Sequence, residues 1–371
     1  MAKNIVIIGG SHAGVSTAQR LLKSASTSTS VKVTLITPNS HMYWNLASPR
    51  GLIPGNYEKD ELFLEIKSGF KQYSSDRFEL VLGTAVGLDE ASQTVTVRCA
   101  EKEKSVAYDM LVLATGSRTL DSSPFKNIGT TEETRSALKD LQARVEAAKS
   151  IIVAGAGVTG VEVAGELGSA FGKEKKIILL APGPRVLEDM LEVNSDIATK
   201  ELQRLGVEVQ LKSRVKESVI GGNGQYEIIL SSGTTITTDL YIPTFGLAPN
   251  SSYVPAKFLT SQGFVKVDEF LQVTGTKNIW AIGDVSDLEQ SQWIKAEYQS
   301  AHLAKNLIRI LQNQAPQAYK KATTPMMGLS VGKDMGTGHY GNWRIPTFVA
   351  RYLRKTLFLE KLTEIVTGTA F

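Results

Sequence analysis

Residues 4–14 read NIVIIGGSHAG and residues 150–160 read SIIVAGAGVTG. In both, a short β-branched run passes directly into a glycine turn. The first run, Ile5–Ile8, has the composition of a parallel strand covered on both faces. After its turn comes VSTAQRLLKS, where Val15, Ala18 and Leu22 recur at helical spacing, and then another apolar run, Val31–Ile36. The second stretch has the same order: a strand at 150–154, a turn, the helical VEVAGELGSAF and the strand KKIILLA. Strand, glycine turn, helix and strand make a βαβ unit. A chain with two of them is expected to be an α/β protein with two Rossmann-like units.

The pattern G-x-G-x-x-G gives the glycines their roles. Gly155, Gly157 and Gly160 fill it completely, whereas Gly9 and Gly14 fill its ends with Ser11 in the middle. The first glycine makes the tight turn, the middle one leaves the backbone open to a pyrophosphate, and the third lets helix and strand approach. N–H groups at the helix start, with the helix dipole, take the phosphate charge, so Gly9, Gly10, Ser11, His12, Ala13 and Gly14 are candidate cofactor residues. Ser11 is the smallest polar replacement for glycine; its hydroxyl can donate to a phosphate oxygen, with the dinucleotide slightly displaced. His12 has two readings: it stacks on or donates to the phosphates, or it faces solvent. A second departure is the acid expected at the end of the second strand to hold a ribose. LITPNSH offers Thr37 with Asn39 nearby, which predicts a weaker hold than a carboxylate gives. In the second unit Ala181 stands where an acid favours NADH, and Arg185 either meets a 2′-phosphate or is a solvated surface residue. NADH and NADPH both stay open.

Bulk properties narrow the class. A chain of 371 residues is long enough for two or three domains. Its net charge of +4 is dispersed rather than striped, so nucleic acid is not an expected partner. No apolar run is long enough to span a bilayer. The single cysteine, Cys99, makes no C-x-x-C pair, and four histidines with one cysteine show no metal-ligand spacing. The first strand starts at Asn4, which leaves no room for a leader, and Ala2 is not the glycine that myristoylation needs. A cytoplasmic location is the expectation.

Two further strands matter for connectivity. Tyr108–Ser117 runs into the small-residue turn Ala114-Thr115-Gly116, and Asn278–Val285 contains Gly283-Asp284. With both glycine turns in this order, the chain resembles the two-dinucleotide-binding-domain flavoproteins, the pyridine nucleotide–disulfide reductase superfamily in the wide sense. The stretches HMYWNLASPRGL, GVTGVEVAGEL and MMGLSVGKDMGTGHYGNW, with a tail containing LFLEKL, are similar to the AMID / ferroptosis-suppressor-protein branch of apoptosis-inducing-factor-like oxidoreductases. Type II NADH dehydrogenases share much of the plan. The absence of C-x-x-C argues against a disulfide reductase.

The resemblance implies a glutathione-reductase-like arrangement with FAD on the first turn and NADH or NADPH on the second. It implies a split FAD-binding domain at 1–118 and 246–322, an NAD(P)H-binding domain at 119–245 and a C-terminal region at 323–371. It adds Val86, Ala114, Thr115, Gly116, Gly246, Gly283, Asp284, Lys295 and Ala296 as cofactor residues, with Asp284 accepting from a ribityl hydroxyl. Glu162 orients the carboxamide or relays protons, or is a helix-start carboxylate placed by the dipole; Glu166 faces a salt bridge or solvent. Arg50 stabilises reduced flavin, or contacts phosphate or solvent, and Lys355 is the nearest match to a lysine that approaches the flavin. The implied activity passes hydride from NAD(P)H to flavin and electrons to a quinone-like or other small organic acceptor. The alternatives are a biosynthetic flavoprotein acting on a secondary metabolite and an apoptosis-inducing-type protein with a non-enzymatic role. The basic, amphipathic tail IPTFVARYLRKTLFLEKLTEIV is a membrane-surface element, a dimer element, a flavin lid or a core-packing helix, in a monomer or homodimer.

Overall fold

The computed structural model describes residues 2–25, 30–57, 60–100, 102–222 and 224–371. Two parallel sheets form its frame. The first runs in the order Phe78–Leu82, Val31–Thr37, Lys3–Ile8, Met110–Leu113, Ile279–Ala281, and the second Val207–Gln210, Lys176–Leu180, Ser150–Ala154, Leu240–Pro243. In each, the strand before the glycine turn is central: Ile5 pairs with Val33 and Met110, and Ile151 with Ile177 and Leu240. Ile5, Val6, Ile7, Ile151, Ile152 and Val153 are fully buried, as expected for strands covered on both faces. The expected α/β class with two Rossmann-like units is therefore the observed one.

Among the described residues eight helices accompany the sheets: α1 His12–Ser24, α2 Ser48–Gly51, α3 Thr131–Ala147, α4 Val158–Phe171, α5 Glu192–Arg204, α6 Trp293–Leu311, α7 Thr347–Arg354 and α8 Glu360–Thr367. Helix α3 begins with a capping box: Glu133 N–H donates to Thr130 Oγ1, and Thr130 N–H donates to Glu133 Oε2. Between the two sheets the chain crosses on an antiparallel pair, Ser117–Thr119 with Leu247–Pro249. Gly116 (φ +66°) and Gly246 (φ +78°) turn the backbone at the two crossings.

The tail is not one continuous helix. A hairpin, Met326–Val331 and Met335–Tyr340, packs on α4 and leads to α7. Between α7 and α8, Leu357 and Phe358 take consecutive left-handed conformations, φ 51° and 54°. Trp44 Nε1 donates to the Leu357 carbonyl at 2.9 Å, and Trp293 stacks on Phe358, so packing fixes this elbow. Helix α8 buries Leu362, Ile365 and Val366, and Gln19 Nε2 donates to the Val366 carbonyl at 2.5 Å; core packing describes this half. Helix α7 instead buries only Ala350 and Arg354 and exposes Phe348 (75 %) and Tyr352 (78 %). Among the described residues no helix is long and apolar enough to cross a membrane.

Candidate functional site

The glycine turns interlock with the strands beside them. A Cβ on Gly9 (φ +126°) would collide with the Ala114 carbonyl, and one on Gly14 with the carbonyl oxygen of Gly9. The second turn repeats this: a Cβ on Gly160 would fall on the Gly155 carbonyl oxygen. A Cβ on Gly157, by contrast, would meet nothing within 4 Å, so this face of the α4 N-terminus is open. Its counterpart Ser11 is the N-cap of α1, and its side chain makes no capping bond.

His12 is buried, which corrects the solvent-facing reading. Trp293 Nε1 donates to His12 Nδ1 at 3.0 Å, so in this arrangement the ring proton sits on Nε2, which meets Glu297 Oε2 at 2.9 Å. Both ring nitrogens are committed to protein partners rather than free for phosphate. Burial opposes ionisation of Glu297, but the His12 hydrogen bond and the Arg20 charge hold its carboxyl below the usual range.

Thr37 and Asn39 stand at the expected ribose position. Thr37 Oγ1 accepts from the Asn39 N–H at 3.1 Å, and Asn39 Oδ1 is buried without a partner. Val86 is the extra residue of a β-bulge between Thr84–Asp89 and Thr94–Cys99, since pairing passes from Ala85–Val97 to Gly87–Thr96. Thr115 Oγ1 donates to the Asn250 carbonyl and Asn250 Nδ2 donates to the Thr115 carbonyl, so Thr115's hydroxyl holds the strand crossing. Gly283 (φ +71°) faces Ala13 and Ala296, bringing the starts of α1 and α6 to the end of the last parallel strand. Lys295 lies in the first turn of α6.

Asp284 Oδ2 accepts from Ser117 Oγ at 2.8 Å and Lys126 Nζ at 2.7 Å. Burial opposes its charge, but Lys126 and the hydroxyl donors outweigh it and hold the carboxyl below the usual range. Lys126 carried no motif and was missed in the sequence. A folded-state pKa below the unfolded one contributes stability above the unfolded pKa that is lost as pH falls through the folded value. The stability difference between wild type and Asp284→Asn in urea is therefore expected to be full above about pH 4 and to shrink below it. A pH-independent difference contradicts this.

A buried ionic quartet lies where α2, α4 and the tail meet. Glu162 and Glu166 occupy successive turns of α4. Arg50 Nε donates to Glu166 Oε1 at 2.8 Å, and its Nη1 donates to the Lys355 carbonyl at 2.8 Å. Arg354 Nη2 pairs with Glu162 Oε1, which also accepts from the Ser330 N–H at 3.2 Å. Arg50 Nη2, Arg354 Nε and Glu166 Oε2 are buried without partners. Burial pushes the Glu166 carboxyl up, against the pull of Arg50. Glu162 is thus no exposed helix-start carboxylate. The cation beside it is Arg354; the side chain of the next residue, Lys355, which the resemblance offered as the lysine approaching the flavin, is exposed.

In the second unit Ala181 is fully buried. Arg185 Nη1 and Nη2 donate to the carbonyls of Met190 and Glu188, so the guanidinium is folded onto its own loop. Among the described residues no group of three or more His, Cys, Asp or Glu is placed to hold a metal ion.

Two parallel sheets with matching glycine locks, joined by crossing strands, define an oxidoreductase that binds two dinucleotides, FAD and NAD(P)H. The chain belongs to the pyridine nucleotide-disulphide oxidoreductase family, whose profile matches residues 3–306. It is 49% identical over 369 residues to oxidoreductase ptaL of Pestalotiopsis fici, covering 99% of each chain. It is 27% identical to human ferroptosis suppressor protein 1, covering 97% of this chain and 94% of that protein. NDH2 of Plasmodium falciparum, solved with NADH, shares the fold with a TM-score of 0.79 at 16% identity, covering 100% and 98% of the two chains. The likeness to the AMID / ferroptosis-suppressor branch is therefore borne out. The donor set also fits both cofactors: two helix N-termini behind glycine locks, the orphaned Asn39 acceptor and the ionised Asp284.

Proposed function

We propose that this FAD- and NAD(P)H-dependent oxidoreductase delivers electrons to a quinone-like organic acceptor. When bound, FAD would supply the hydride-accepting and electron-passing chemistry that links NAD(P)H to the acceptor. The reading assigns residues 1–118 and 246–322 to the FAD unit, 119–245 to the NAD(P)H unit and 323–371 to a region that closes the site. Backbone N–H groups from Gly10 to Gly14 take the FAD phosphates, with the Ser11 hydroxyl beside them; Asn39 takes the ribose and Asp284 a ribityl hydroxyl. The bulged backbone of Val86 and the starts of α1 and α6, at Ala13, Lys295 and Ala296, complete the FAD set. Gly155, Gly157 and Gly160 take the nicotinamide dinucleotide.

The observation that carries the reading is the buried quartet. Arg354 and the Ser330 N–H fix Glu162 in one position, where a carboxylate can orient a carboxamide. Arg50 offers a buried, unpartnered N–H to developing negative charge. A single cysteine leaves no dithiol to carry the electrons onward. A second reading keeps this chemistry with one biosynthetic metabolite as acceptor; the greater identity to a protein named only as an oxidoreductase, from P. fici, than to ferroptosis suppressor protein 1 keeps the acceptor open.

The anaerobic visible spectrum of the purified protein tests the cofactor assignment. A flavin spectrum is expected, bleached by NADH or NADPH and restored by a quinone. A colourless protein that takes up no FAD, or a flavin that neither nucleotide bleaches, contradicts the reading.

A further inference from the structure

The two units correspond residue by residue at the ends of their second strands. Gly9 N–H donates to the Ile36 carbonyl at 2.9 Å, and Gly155 N–H donates to the Leu180 carbonyl at 3.0 Å. On the other edge the Thr37 carbonyl accepts from the Gly83 N–H at 2.9 Å, and the Ala181 carbonyl from the Ser213 N–H at 2.8 Å. Thr37 and Ala181 are therefore equivalent, and by the same register Asn39 corresponds to Gly183. Asn39 carries the orphaned acceptor at the ribose corner of the first unit. Its counterpart in the second unit has no side chain.

A carboxylate from the following loop fills that gap. A Cβ on Gly183 would coincide with Glu188 Oε1, so this oxygen stands where the Asn39 side chain begins in the first unit. The loop is tied down on the way. Leu187, left-handed at φ 53°, donates its N–H to the carbonyl of Ala156, inside the second glycine turn, at 2.8 Å. The Arg185 guanidinium bonds to the carbonyls of Glu188 and Met190, which pins the loop and commits that cation to backbone rather than to a 2′-phosphate. The Glu188 side chain is exposed, and its carboxylate has no hydrogen-bond or ion-pair partner among the described residues. The neighbouring loop brings Lys212, whose N–H donates to the Gly183 carbonyl at 2.8 Å, but no ion pair joins its ammonium to Glu188 among the described residues.

We infer that Glu188 selects NADH over NADPH: its carboxylate accepts from the 2′-hydroxyl of the adenosine ribose and repels a 2′-phosphate. The inference rests on placing the nicotinamide dinucleotide on the second glycine turn, as proposed above, and gives that site its selectivity. A carboxylate at the end of the second strand of a dinucleotide unit does this work when the strand supplies it. Here the strand ends in Ala181 and the carboxylate arrives from Glu188, with Gly183 leaving it room. Selection by repulsion of the wrong ligand adds to the hydrogen bond made with the right one.

Calorimetric titration of the FAD-loaded enzyme with NAD+ and with NADP+ tests this. The wild-type protein is expected to bind NAD+ about tenfold or more tightly than NADP+. Glu188→Ala is expected to weaken NAD+ while NADP+ holds or tightens, so that the ratio of the two affinities falls about tenfold. Loss of loop structure alone would weaken both nucleotides alike and leave the ratio unmoved. An unchanged ratio in Glu188→Ala therefore overturns the inference while the placement of the dinucleotide stands. Tighter NADP+ binding by the wild type, lost in Lys212→Ala, overturns it and gives the corner to the ammonium. A holoenzyme that binds neither nucleotide overturns the placement and the selectivity with it.

Discussion

Arg354→Met is expected to lower unfolding stability by about 3–5 kcal/mol, because it strands the Glu162 carboxylate in the interior. Both side chains are nearly inaccessible, at 10 % and 6 %, so water does not compensate the lost charge. The expected double variant, Glu162→Gln with Arg354→Met, recovers most of that stability, since it removes both charges rather than one. Its turnover is expected to stay low, because glutamine lacks the charge and Arg354 no longer fixes position 162. Urea unfolding and NAD(P)H-dependent flavin reduction on the same preparations separate the two effects. If turnover returns together with stability, the pair is structural and the positioning role assigned to Glu162 fails.

This pair also marks what the sequence could reveal. The glycine turns were legible because their chemistry is local: Gly9, Gly14, Gly155 and Gly160 each answer a contact made within a few residues or with the adjoining strand. The two βαβ units and the strand leading to Gly283 were legible in the same way, whereas the order of the strands in each sheet came from the structure. The partners of the charged residues were a different matter. Arg354 meets Glu162 across most of the chain, Lys126 reaches Asp284 from a loop without any motif, and Trp293 reaches His12 from a helix that begins 281 residues later in sequence. Each contact depends on how the tail and the loops pack, and side-chain period carries no trace of it. The elbow at Leu357 and Phe358 was invisible for the same reason. Both residues favour continuing a helix or strand locally, and only the packing of Trp44 and Trp293 holds them left-handed. Just before it, Arg354 is buried while Lys355 is exposed, a difference that two neighbouring basic residues do not reveal in sequence.

Gly14→Ala is expected to abolish FAD retention, whereas Ser11→Gly changes it little, although the two positions are three residues apart in one motif. An alanine Cβ at 14 would overlap the Gly9 carbonyl oxygen, a backbone atom with no rotamer to escape into. Helix α1 must then lift from the Lys3–Ile8 strand, and its N-terminal N–H groups leave the position where they meet phosphate. Overpacking of this kind typically destabilises by about 1–3 kcal/mol, and the loss of aligned donors adds to it, so a fall of at least about a hundredfold in FAD affinity is expected. Ser11 is half-buried, makes no capping bond, and glycine is itself an acceptable N-cap, so Ser11→Gly is expected to shift stability by only a few tenths of a kcal/mol. Its effect on FAD affinity reads directly whether the serine hydroxyl donates to phosphate: a loss of about tenfold means that it does, and a gain means that the missing middle glycine was a steric handicap. FAD titration of the apoprotein of each variant, followed by flavin fluorescence, gives both numbers. Equal losses at the two positions contradict the separation of steric and contact roles within the turn.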